Sequence, residues 1–198
     1  PNPSPTPGKN TSASSGDNTT IKKTANPFRD VSDSDWFYDY VMYAYEKGLM
    51  KGTEADLFDP ETDVTRAMFV TVLHRMEGTP RVGTVNFDDV DGGEYYADAV
   101  AWAQENKIVN GITETTFEPN AKITREQMAA IVYRYARYKG RSIYTAETAE
   151  YTDSDSISDY AKDAVNWLSY HKILLGNADG TFAPQKNSTR AETAAVFQ

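Results

Sequence analysis

The sequence predicts a mainly α fold built from three consecutive helix-loop-helix repeats. Three observations predict it. The landmarks of "WFYDYVMYAYEKGLMKGTEADLFDPETDVTRAMF" recur without a gap in "YYADAVAWAQENKIVNGITETTFEPNAKITREQM", a shift of 59 from Trp36 to Tyr95. They recur again in "YAKDAVNWLSYHKILLGNADGTFAPQKNSTRAET", a shift of 65 from Trp102 to Trp167. Apolar residues in each copy fall at helical spacing, and each copy carries a Thr-Arg pair where a second helix should begin.

Each repeat opens on an acidic loop: Phe28-Arg29-Asp30, Phe87-Asp88-Asp89 and Tyr151-Thr152-Asp153. Helix A follows. Val41, Ala44 and Tyr45 stand at i, i+3 and i+4, and Val100 with Ala103 and Val165 with Leu168 keep one face apolar. Gly52, Gly111 and Gly176 come after the last apolar pair and suit a turn in which φ is positive. A loop with an inward Phe and then Pro comes next: Phe58 and Pro60, Phe117 and Pro119, Phe182 and Pro184. Helix B begins at Thr65-Arg66, Thr124-Arg125 and Thr189-Arg190. Its apolar face is Phe69, Val70, Leu73 and Met76 in the first repeat and Met128, Ala129, Val132 and Tyr135 in the second. Gly78 and Gly140 mark the helix stops, and short strand pairing in the loops is left open. The boundaries read as 27–80, 81–148 and 149–198, with the third helix B shortened.

Residues 1–26, beginning PNPSPTPGKNTSASSGDNTT, are Pro, Ser, Thr, Gly and Asn with little that is apolar, and read as a linker. A linker there points to further domains upstream in the same polypeptide. One helix-loop-helix unit of this size cannot hide its apolar face alone, so the three share a core, stacked in a row or closed on one another. The absence of distinct capping repeats favours closure.

Composition narrows the function. The formal net charge of −9 argues against a nucleic-acid partner, which calls for basic surface. With no cysteine there are no disulfides or thiolate metal sites. No apolar run has the length of a membrane span, so membrane insertion is not expected, and no stretch resembles a signal peptide. No cofactor or metal is implied. "DVSDSDW", "DDVDGG" and "TDSDSISD" hint at calcium, but none extends into an EF-hand loop, and turn capping is the preferred reading. His74 and His171 occupy unrelated positions and make no catalytic pair. Tyr43, Trp102 and Trp167 share one helix A position, which reads as packing.

The second helix start carries the sharpest signal. Thr is an N-cap, and Gln127 and Glu192 at N3 complete capping boxes that Met68 cannot. Capping does not explain a cation at the first helical position, where the helix dipole disfavours it. One explanation is an ion pair to a loop carboxylate such as the leading Asp. The other is an anion site made by the arginine and the free helix-end amides.

These landmarks in order resemble the S-layer homology domain, over about residues 28–198 as three copies. The resemblance implies three pseudo-symmetric lobes around a central helix bundle, with ligand grooves between lobes. It implies a non-catalytic module, extracellular on the bacterial cell surface, that anchors an exported protein to a secondary cell-wall polysaccharide often carrying pyruvyl ketals. Carried onto this chain, Arg66, Arg125 and Arg190 would meet the acidic group. Asp30, Asp89 and Asp153 would accept sugar hydroxyls, Trp36 and Tyr95 would stack on a sugar ring, and Gly52, Gly111 and Gly176 would allow close backbone approach. Two departures stand out. Ile157-Ser158 replace the aromatic pair in the third repeat, and Asp56 and Thr115 replace the loop glycine seen as Gly180. The rival reading is a protein-binding or self-assembling surface module using Trp36, Phe37, Tyr38 and Tyr40. A carboxylate glycosidase is a third, with no acidic pair that singles it out.

Overall fold

The computed structural model describes residues 25–81 and 83–198. All but the last two residues of the proposed linker lie outside the described residues. The regular structure among the described residues is six α-helices, α1 (Tyr38–Glu46), α2 (Arg66–Met76), α3 (Ala97–Glu105), α4 (Arg125–Tyr138), α5 (Lys162–Tyr170) and α6 (Arg190–Val196), with two short 3-10 turns at Ser154–Ser156 and Asp159–Ala161. Each repeat supplies one helix A (α1, α3, α5) and one helix B (α2, α4, α6). No strand or sheet forms among the described residues, and none of the helices is long and apolar enough to cross a membrane.

Helix B starts as its sequence dictates. The hydroxyls of Thr65, Thr124 and Thr189 accept the N3 amide of their helices. Gln127 and Glu192 reach back to the N-cap amide, completing capping boxes in α4 and α6 but not in α2. α2 and α4 end before Gly78 and Gly140, both in the left-handed region.

The repeats then close on one another. Val64 N–H donates to the Ser188 carbonyl, Ser188 N–H to the Ile123 carbonyl, and Ile123 N–H to the Val64 carbonyl, at 2.9–3.0 Å. The pairing left open in the sequence is therefore a set of isolated bridges (Asp63 with Thr189, Thr65 with Lys122, Thr124 with Asn187), with no ladder extending from them. Helix packing follows the same circuit: α2 lies on α3, α4 on α5, and α6 on α1. A row of stacked repeats would leave the first and third apart, so the row is excluded. The shortened α6 takes part fully. Ala191 and Ala194 are buried, and the Phe197 ring lies 5.1 Å from that of Phe69.

Phe58, Phe117 and Phe182 are completely buried and anchor the loop of each repeat in the shared core. Burying one such ring stabilises the fold by about 1.5–3 kcal/mol. The turn after helix A shows a defect that only one repeat avoids. Gly48 takes a φ of 68° there, while Lys107 and Lys172, its counterparts, take 57°. A non-glycine residue in this region costs about 1–2 kcal/mol, against about 0.5–1 kcal/mol of extra chain entropy for glycine. Lys107→Gly and Lys172→Gly are therefore each expected to stabilise the protein by about 0.5–1 kcal/mol, measured as a rise in denaturant midpoint. A fall in midpoint would mean that the lysine side chains contribute more than the strain removes.

Candidate functional site

The leading aspartates work inside their own repeats. Asp30 accepts the amides of Phe58 and Asp59 at 2.9 and 2.7 Å. Asp89 does the same for Phe117 and Glu118, and Asp153 for Phe182 and Ala183. The second residue of each amide pair has a positive φ of 54–57°, a strained backbone that the carboxylate holds in place.

The arginines work between repeats. Arg66 Nε donates to the Phe117 carbonyl at 2.8 Å, Arg125 Nε to that of Phe182 at 2.9 Å, and Arg190 Nε to that of Phe58 at 2.7 Å. Each guanidinium also sits over the ring of that phenylalanine, 4.5–5.1 Å from its centroid. The cation at the helix start thus locks a helix B to the loop of the next repeat. Neither sequence explanation describes this directly. No ion pair joins these arginines to a leading Asp; Asp89, Asp153 and Asp30 act on them only as longer-range charges. The helix-end amides are already spent. Those of Arg66 and Ala67 donate to the Ala121 and Pro119 carbonyls, and the pairs in α4 and α6 bind Lys186 with Pro184 and Thr62 with Pro60. An anion at this place meets guanidinium and no free helix end. Burial pulls all three guanidinium pKa values below the ordinary one, opposed most by Glu118, Glu192 and Asp59 respectively.

The glycines are required by packing. A Cβ on Gly111 would stand 2.5 and 2.6 Å from the carbonyls of Thr113 and Thr116 and 2.7 Å from the Phe87 ring. Gly52 and Gly176 meet the same obstacles from Leu57 with Phe28 and from Thr181 with Tyr151. Only Gly111 has the positive φ expected of all three.

Like grooves result at two of the junctions, each drawing on all three repeats. Arg66, Gly111, Gln127, Ala130, Ile131, Arg134 and Tyr160 line a cavity of about 440 Å³. Its counterpart, within a cavity of about 920 Å³, has Arg125, Gly176, Glu192, Ala195, Val196 and Trp36. The same shifts give the third set as Arg190, Gly52, Met68 and Tyr95. The aromatic in the first cavity corrects the sequence reading. Ile157 is buried, and the partner of Trp36 and Tyr95 is Tyr160, with 61, 64 and 53% exposure respectively. The 65-residue shift already aligned Tyr95 with Tyr160. Of the four aromatics proposed for a protein-binding face, Phe37 is buried and only Trp36 is exposed.

The grooves differ in how fully their helix-start arginine is engaged. Arg125 has every nitrogen engaged: Nε on Phe182, Nη2 on the Leu175 carbonyl, and Nη1 3.5 Å from the Glu192 carboxylate. Arg190 also places Nη2 on the Lys51 carbonyl. In the 440 Å³ cavity the N3 residue is the neutral Gln127. Among the described residues the two terminal nitrogens of Arg66 have no hydrogen-bond or carboxylate partner, and Arg134 adds a second cation. Asp56, which stands where the third repeat has Gly180, is paired with Arg29 at 3.2 Å.

The other sequence signals resolve simply. Buried His74 meets the Pro80 carbonyl at 2.9 Å, and His171 lies against Trp167. Asp35 and Asp91 accept turn amides of Ser32 and Gly93. Trp102 and Trp167 are buried, with Tyr43 half-buried.

Comparison with known proteins meets this geometry. The S-layer homology domain matches residues 27–68, 86–129 and 150–194, one match per repeat. The chain belongs to the S-layer homology domain family. It is 38% identical over 177 residues to an endoglucanase of Bacillus sp. (strain KSM-635), 28% identical over 176 residues to the S-layer protein sap of Bacillus anthracis, and 25% identical over 184 residues to a cellulosome-anchoring protein of Acetivibrio thermocellus. These matches take in 88–90% of this chain but 19, 21 and 40% of the three relatives. S-layer homology repeats are non-catalytic, and they make this chain an extracellular, cell-surface anchoring module.

Asp153→Ala strips two amides of the strained loop of their shared acceptor. It is expected to destabilise the protein by about 1.5–3 kcal/mol, the range for hydrogen bonds to a charged group, measured by urea unfolding. An unchanged midpoint would mean that the loop holds its shape without the carboxylate.

Proposed function

We propose that this S-layer homology triplet anchors an exported polypeptide to the cell wall by binding an anionic, pyruvylated secondary cell-wall polysaccharide. The observation that carries the reading is the pair Arg66 and Arg134 in the 440 Å³ cavity, where Arg66 is fixed through Nε and keeps two unpartnered nitrogens. A carboxylate matches that fork bidentately. Tyr160 offers an exposed ring to the apolar face of the sugar, and Gln127 and Asn110 offer amides to its hydroxyls. A cationic pocket on a chain of net charge −9 marks a local anion site. Asp30, Asp89 and Asp153 support the site from behind by holding the loops that the arginines grip. Gly52, Gly111 and Gly176 let those loops lie close. Trp36 and Tyr95 are the aromatic walls of the other two grooves. The chain itself takes no part in catalysis, and its enzyme-named relatives match over a minor share of their length.

Co-sedimentation with purified Gram-positive walls tests the reading, before and after chemical removal of the attached polymer. Binding should be lost on stripped walls, and equal binding to both would overturn it. Arg134→Ala removes a cation that makes no bond in the fold. It should weaken binding to soluble polymer by about tenfold to a hundredfold with unchanged thermal stability, the loss given by one charge-assisted contact. Glu192→Gln keeps the α6 capping box, as Gln127 does in α4, and frees Nη1 of Arg125 from its carboxylate. Calorimetry of this variant should show one more anion-dependent site per chain than the unaltered protein, and unchanged stoichiometry would mean that Arg125 is purely structural.

A further inference from the structure

The second residue of helix B is Ala67 in α2 and Ala191 in α6, but Glu126 in α4. Glu126 is 3% exposed. Burying a carboxylate is costly unless it is bonded or paired, and no cation lies within ion-pair distance of it among the described residues. All its partners are neutral and come from the start of the third repeat: Ser158 N–H at 3.0 Å, the Ser158 hydroxyl at 2.8 Å and the Tyr160 hydroxyl at 2.9 Å. Two junctions close without such an acid, so ring closure does not demand it.

What differs at this junction is the anchor of the groove aromatic. Trp36 rests edge-on against buried Phe37, with centroids 5.4 Å apart, and Tyr95 against buried Tyr96 at 5.0 Å. At Tyr160 the next residue is Ala161, which has no ring to offer. Large-on-small is exchanged for small-on-large. Phe37 and Tyr96 go with alanine in the helix B that packs on their repeat, and Ala161 goes with Glu126. Burial and Glu126 push the Tyr160 phenol well above its ordinary pKa, with Arg66 and Arg134 pulling the other way. The hydroxyl therefore stays a donor to the carboxylate at any physiological pH.

We infer that Glu126 is a positioning residue for the ligand groove: through the Tyr160 hydroxyl it fixes the ring that walls the Arg66–Arg134 cavity, doing there what a neighbouring aromatic does for Trp36 and Tyr95. The inference rests on the anion-binding reading of that cavity. Glu126 never touches the ligand. It sets the orientation and freedom of the surface against which a sugar ring would stack.

Three variants test it: Tyr160→Phe, Glu126→Ala, and Glu126→Ala combined with Ala161→Tyr. The probe is a soluble fragment of purified wall polysaccharide, followed by calorimetry. Ring-carbon NMR of labelled tyrosine reports Tyr160 directly, with and without the fragment. Tyr160→Phe should keep the ring, keep the fold and weaken fragment binding about fivefold to tenfold, the loss expected when one side chain must be ordered on binding instead of beforehand. Glu126→Ala should weaken binding at least as much, lower the Tyr160 phenol pKa and speed its ring rotation. The double variant should restore binding to near the unaltered level, because a transplanted aromatic anchor replaces the lost hydrogen bond. Unaltered affinity in Tyr160→Phe and Glu126→Ala, or an unchanged ring signal in Glu126→Ala, would overturn the inference. If the unaltered protein ignores the fragment, the anion-binding reading fails, while the ring signal still decides whether Glu126 positions Tyr160.

Discussion

The structure depends on one contact repeated around a ring. An arginine at the first position of helix B gives its Nε proton to a phenylalanine carbonyl in the next repeat and lays its guanidinium on that phenylalanine ring. The phenylalanine is wholly buried, so the contact ties the most immovable part of one loop to the start of a neighbouring helix. The leading aspartate holds the same loop from its other side through two amides. Because the third repeat grips the first, no repeat has an open end. The cost of a cation at a helix N-terminus is small beside this, since the helix-end amides are satisfied by carbonyls and the guanidinium by a carbonyl and a ring.

The same contact shapes the groove proposed to take the anion. A guanidinium pinned at Nε still has two terminal nitrogens, and their surroundings decide what they do. In one groove they meet the Glu192 carboxylate and the Leu175 carbonyl, and Arg125 is a structural bolt. In another they face a cavity shared with Arg134 and the neutral Gln127, and Arg66 is a poised cation. The choice lies at the N3 residue of the next helix B, where Gln127 leaves the Arg66 terminal nitrogens unpaired and Glu192 engages those of Arg125. Three-fold repetition in sequence thus need not mean three equal sites.

Much of this was legible in the sequence. The repeat shifts placed all six helices, the Thr caps and the two capping boxes, because these follow from local spacing and local hydrogen bonding. The Thr-Arg arginines, the leading aspartates and the glycines stand out in the sequence by recurring at fixed shifts. Their partners were not legible. Arg66 meets Phe117 and Arg190 meets Phe58, contacts set by the order in which the repeats close, which no spacing within one repeat encodes. The positive φ expected at three glycines holds at Gly111 alone, since Gly52 and Gly176 are required by crowding that only tertiary packing creates. Tyr160 is legible only through the 65-residue shift, because the leading loop of the third repeat is one residue longer and sets Ile157-Ser158 where an aromatic pair is expected. Arg134 had a signal as well, in Arg75 at the 59-residue shift.

In the proposed function one arginine does two separate things, closing the ring with Nε and receiving an anion with its terminal nitrogens. Side-chain nitrogen NMR of arginine-labelled protein titrated with soluble wall polysaccharide tests it most directly. Shifts are expected at the terminal nitrogens of Arg66 and Arg134, with the Nε signals of Arg66, Arg125 and Arg190 staying in place and protected from exchange. Equal shifts at all three helix-start arginines, or movement of the Nε signals on binding, would contradict it.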